Sequence, residues 1–133
     1  MTKSKLVEEI IKKQSYLCVG LDSDCEKLPK GFSKDAKGVL AFNKAIIDAT
    51  KDLCVSYKIN TAFYEALGGK GWEAMEKTVN YIPREHFTIA DAKRGDIGNT
   101  SSQYAKAFFE TLAYPYPGKS TKYHGLPAVV MEK

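Results

Sequence analysis

Asp91, Lys93 and Asp96 stand close together in the run Asp91-Ala92-Lys93-Arg94-Gly95-Asp96-Ile97-Gly98-Asn99-Thr100. The run follows Phe87-Thr88-Ile89-Ala90, a short apolar stretch that reads as a strand. Side chains alternate faces along a strand, so Asp91 and Lys93, two apart, are expected to point the same way. Asp96 follows where the strand gives out. Crowding an anion, a cation and a second anion at one strand end does little for a sheet. It is what a charged reaction centre needs, where preorganised charges avoid reorganisation cost. The competing reading is a solvated turn with a surface ion pair, which contributes little to stability.

Other residues could join such a centre. Lys58 follows an apolar run, with Asn60 two residues on and at the same parity. Alone, Lys58 reads as a snorkelling surface lysine. Beside Asp91 and Lys93 in a parallel sheet, it would complete an alternating network of charge. Asp22 closes another apolar run, Tyr16 to Leu21, and Asp24 shares its parity. That pair admits a magnesium site or a turn-forming aspartate. Thr100 can serve as a helix N-cap.

The run D-A-K-R-G-D-I-G-N-T resembles the active-site signature of the orotidine 5′-phosphate decarboxylase family, most closely its longer bacterial branch. Two upstream segments agree with it, Tyr16-Leu17-Cys18-Val19-Gly20-Leu21-Asp22-Ser23-Asp24 and Ser56-Tyr57-Lys58-Ile59-Asn60-Thr61-Ala62-Phe63-Tyr64-Glu65. A lone D-x-K-x-x-D also occurs in sugar-phosphate lyases of related barrel type, but three ordered motifs are specific. The resemblance extends to about Thr111. It implies conversion of orotidine 5′-phosphate to UMP and CO₂ without metal or organic cofactor. It makes Lys93 the proton donor and puts Asp91 beside the leaving carboxylate. Lys58 becomes a network residue that also reaches the ribose, Asp22 an acceptor for ribose hydroxyls, and Thr100 a nucleotide contact. It further implies a homodimer in which Asp96 completes the partner's site.

The elements that must position these residues alternate between strand and helix. A helix is predicted over Lys3 to Lys13, with Leu6, Val7, Ile10 and Ile11 as its apolar stripe. A buried strand follows over Tyr16 to Leu21. A second helix starts at Ser33 or Asp35 and reaches about Lys51, burying Val39, Leu40, Phe42, Ala45, Ile46 and Ala49. Leu53 to Asn60 reads as the next strand. Gly68-Gly69-Lys70-Gly71 reads as a loop before a helix from Trp72 to about Tyr81. A strand over His86 to Ala92 and a helix from Asn99 or Thr100 to about Leu112 complete three βα units. Such units build a parallel sheet, and charged residues at the strands' C-terminal ends match (β/α)₈ TIM-barrel logic. Three units against eight predict a partial barrel.

The 133 residues, 44% hydrophobic and 27% charged, are ordinary for one globular domain. A domain over 1–112 and a Pro/Gly-rich tail over 113–133 are expected. In the tail, Gly118-Lys119-Ser120 fails as a phosphate loop, because Ala113 occupies the first glycine position and Pro115 and Pro117 remove backbone donors. The net charge of +4 is scattered, with no groove-reading motif, which argues against nucleic acid. No apolar run approaches the roughly 18 residues of a membrane span, and Glu8 and Glu9 interrupt any signal-peptide core, so a cytoplasmic location is expected. Cys18 and Cys54 read as buried thiols, and neither His86 nor His124 has metal-ligand spacing to a cysteine.

The family binds substrate phosphate through later strands and an arginine that have no counterpart here. The chain alone is therefore expected to show little or no decarboxylase activity. A sugar-phosphate decarboxylase or aldolase of the same superfamily, and a non-catalytic half-barrel that acts only in association, are the alternatives.

Overall fold

The computed structural model describes residues 1–93 and 98–108. The predicted units are present: α1 (Lys3–Lys13), β1 (Cys18–Gly20), α2 (Ala36–Thr50), β2 (Ser56–Asn60), α3 (Ala62–Glu65), α4 (Gly68–Tyr81), β3 (Phe87–Asp91) and α5 (Gly98–Lys106). The strands form one parallel sheet in the order β1-β2-β3. Gly20 lies opposite Lys58, and Asn60 opposite Asp91. That register brings the charged C-terminal ends of the strands to one edge. The predicted tail, 113–133, and the glycine, lysine and serine at 118–120 lie outside the described residues.

Local chemistry accounts for the helix boundaries. Thr2 caps α1 by accepting from the Lys5 N–H, and Lys12 and Lys13 in the last turn complement the helix dipole. Asp35 caps α2 by accepting from the Gly38 N–H at 2.9 Å. Ser33 donates to the same carboxylate at 2.7 Å, and these bonds hold the Asp35 carboxyl below its ordinary pKa. The core gathers around β2, where Tyr57 and Ile59 are fully buried against Val39 and Ile47 of α2 and Met75 and Val79 of α4.

The structure corrects several expectations. The α1 stripe is not buried: no residue of α1 is, and Ile11 is 70% exposed. What ties the helix down is its last residue. The Lys13 ammonium donates to Lys51 O at 2.7 Å and Cys54 O at 2.9 Å, and lies 2.9 Å from His86 Nε2. The first strand is short and largely exposed, because β1 is an edge with β2 as its sole sheet neighbour among the described residues. Cys18 is accordingly exposed, not buried, whereas Cys54 is buried as expected.

The buried face of α2 is also shifted. Ala45 and Ala49 are exposed, and the covered stripe runs through Val39, Asn43 and Ile47. The glycine cluster is not a loop: Gly68 to Gly71 form the first turn of α4. Gly68 takes φ +62°, open to glycine at little steric cost. At Gly71, a Cβ would come within 1.8 Å of Tyr64 O, so close passage over α3 requires its absence.

Candidate active site

Four charged side chains meet where the three strands end. Asp22, just beyond β1, accepts the Asn60 N–H on Oδ1 at 2.8 Å and the Lys58 ammonium on Oδ2 at 2.5 Å. Lys58, on β2, also lies 3.8 Å from Asp91 Oδ2. Asp91, the last residue of β3, takes Lys93 Nζ on its other oxygen at 2.5 Å. The order Asp22, Lys58, Asp91, Lys93 alternates in sign and sums to zero.

Burial grades across this chain of charges. Asp91 is buried, its side chain 10% exposed, whereas that of Lys93 is 47% exposed. A nearly buried carboxylate is tolerable because ammonium groups flank both of its oxygens, and removing either leaves a charge undercompensated. The Asp91 backbone is held too, since its carbonyl accepts the Thr61 N–H at 3.1 Å. The site thus presents fixed charges of both signs beside an accessible ammonium. That arrangement can stabilise a carbanion and then protonate it.

Asp91 and Lys93 meet as predicted, for a different reason. β3 stops at Asp91, and Lys93 lies beyond it with φ +44°, in the left-handed region. The backbone turn, not strand alternation, returns the Lys93 ammonium to Asp91. Asp22 and Lys58 are where the network reading needs them. Asp24 is not part of it: it caps a 3₁₀ turn over Cys25–Lys27 and pairs with Lys27 at 3.2 Å. The Glu26 N–H and the Lys27 ammonium lower its carboxyl pKa. With Asp22 engaged by Lys58 and Asn60, the two aspartates do not converge as cation ligands. Thr100 is exposed within the first turn of α5, which begins at Gly98, so it is not the cap. Asp96 lies outside the described residues.

One residue linked to this centre was missed in the sequence. Asn43 is fully buried on α2, accepting from Ser23 Oγ at 2.6 Å and donating to Tyr64 Oη at 2.8 Å. A polar residue at the centre of an apolar helical stripe is the cue that could have found it.

Residues 15–121 match the sequence profile of the orotidine 5′-phosphate decarboxylase / HUMPS family. The chain belongs to this family. Orotidine 5′-phosphate decarboxylases of Christiangramia forsetii and Flavobacterium johnsoniae are 55% and 56% identical to it over 130 residues. Each alignment takes in 91% of this chain and 48% of the relative. The chain therefore spans about half the length of the curated relatives it matches. Among solved structures, Leishmania donovani OMP decarboxylase superposes with a TM-score of 0.70 at 36% identity, over 84% of this chain and 41% of that one. The three βα units are thus part of the family's TIM barrel.

Proposed function

We propose that Asp22, Lys58, Asp91 and Lys93 form the reaction centre of an orotidine 5′-phosphate decarboxylase, working as a homodimer in the cytoplasm. The observation that carries the reading is the sign-alternating network across three strand ends, with a buried carboxylate between two ammonium groups. In the reaction, the bond from the pyrimidine ring to its carboxylate breaks. CO₂ leaves, and the electron pair stays on the ring carbon. Lys93 offsets that charge and transfers a proton to the carbon, giving UMP. Asp91 disfavours the substrate carboxylate next to it and holds the Lys93 ammonium on one oxygen, while Lys58 flanks the other. Asp22 and Lys58 meet the ribose hydroxyls, Thr100 contacts the nucleotide, and Asp96 of each protomer completes the other's site. No metal or organic cofactor takes part.

Titration of the full chain with UMP and, separately, with ribose 5-phosphate tests the reading. UMP is expected to bind with at least tenfold preference, and Asp22→Ala to weaken it by about tenfold, the loss of one charge-assisted hydrogen bond. Equal affinity for the sugar phosphate would move the assignment to that substrate class. The shared site has its own test. Mixed Lys93→Ala and Asp96→Ala chains form heterodimers holding one site with both defects and one with neither. Where the parent chain itself turns over, heterodimers that form but recover no turnover exclude sharing.

A further inference from the structure

We infer that Asn43 and Tyr64 are positioning residues for this centre: a buried relay that holds the backbone on both sides of Asp22 and so sets where Asp22 meets Lys58. The inference rests on the reading of Asp22 and Lys58 as nucleotide-binding charges.

Asn43 occupies the middle of the covered stripe of α2, between Val39 and Ile47 one turn away on either side, and is fully buried. Packing alone would favour an aliphatic side chain there, since a buried amide costs free energy unless its hydrogen bonds are made. Its bonds are made, and they lead to one place. Asn43 Oδ1 accepts from Ser23 Oγ at 2.6 Å. Asn43 Nδ2 donates to Tyr64 Oη at 2.8 Å, and Tyr64 donates onward to Leu21 O at 2.7 Å. The two arms therefore end on the residues immediately before and after Asp22. Leu21 is held a second time through its N–H, which donates to Lys58 O at 2.8 Å.

Accurate placement matters at Asp22 because Lys58 stands between two carboxylates, 2.5 Å from one and 3.8 Å from the other. A small displacement of the Asp22 backbone redistributes the ammonium between them. A further contact, Asn43 Nδ2 to Thr78 Oγ1 at 3.5 Å, anchors Asn43 on the α4 side.

The test compares the full parent chain with Tyr64→Phe, which keeps the ring, and Ser23→Ala, which breaks the other arm at a half-buried position. Two readouts are taken on each: the Asn60 amide proton shift, which reports the bond to Asp22 Oδ1, and the UMP dissociation constant. Expected in both variants is an upfield move of the Asn60 amide and an approximately tenfold weaker UMP affinity. Relay atoms that only satisfy buried polarity would lower the melting temperature and move neither readout, which overturns the inference. Movement of the amide with unchanged UMP affinity also overturns it. If the parent does not bind UMP, the nucleotide reading fails and the Asn60 amide alone decides the relay. If Tyr64→Phe does not fold, Ser23→Ala carries the comparison.

Discussion

Lys13 and Lys58 stand at opposite poles of the same sheet and spend the same ammonium group differently. Lys13 is surrounded by neutral acceptors, the carbonyls of Lys51 and Cys54, with His86 Nε2 beside them. Its charge goes into holding the end of a helix that buries none of its own side chains. Lys58 is placed between two carboxylates, in a network whose members remain partly open to solvent. Carbonyls fix a lysine where it is. Carboxylates additionally leave fields that a substrate can use. The contrast separates a neutral, structural pole at the strands' N-terminal ends from a charged one at their C-terminal ends, the end at which barrel enzymes carry their active sites.

The largest effect that can break this division is at Lys93. Lys93→Ala is expected to slow decarboxylation by about 10²-fold or more, the scale of a lost general acid, while UMP binding persists through the ribose contacts. Single-turnover conversion with the chain in excess over orotidine 5′-phosphate makes even slow rates measurable. Turnover within tenfold of the parent would remove Lys93 from its role.

Next comes the exchange between poles. Lys13→Met removes the clasp and takes the ammonium from two part-buried carbonyls, of which Lys51 O keeps His86 Nε2 at 2.8 Å; this should cost about 1 kcal/mol and lower the melting temperature by several degrees. Its UMP affinity should match the parent's. Lys58→Met should lose UMP binding by at least tenfold, and it should also destabilise the fold, because the nearly buried Asp91 carboxylate is left undercompensated. A Lys13→Met chain that also loses UMP binding would show that the poles are not separable.

The smallest effect sharpens the comparison on the chemical side. Asp35 is a carboxylate at the start of α2 that serves structure. The Ser33 hydroxyl and the Gly38 N–H lower its folded-state pKa below the ordinary 3.8. Its ionised form therefore adds stability above that value, lost as pH falls through the folded pKa. Melting curves of the parent and Asp35→Asn should converge as acid is added. A constant gap would mean that the charge plays no part.

Sequence alone carried the charged residues because each ends an apolar run, and the parallel sheet then leaves little freedom in where those ends go. It failed where a residue's meaning depends on what lies across from it. Cys18 sits in an apolar run, yet apolarity does not reveal that β1 is an edge among the described residues. Gly71 reads as a helix breaker until the Tyr64 carbonyl is seen against it. Asn43 breaks an apolar stripe, and only tertiary structure supplies its partners, which come from three other segments of the chain.

Lys93 carries a further consequence in its backbone. A left-handed φ at a lysine costs free energy that glycine would not incur. Substitution by glycine should therefore relieve a strain that alanine retains, leaving Lys93→Gly the more stable of the two inactive chains. Lysine in that conformation sets its ammonium on Asp91, a contact that glycine cannot make, so the strain and the ion pair come together.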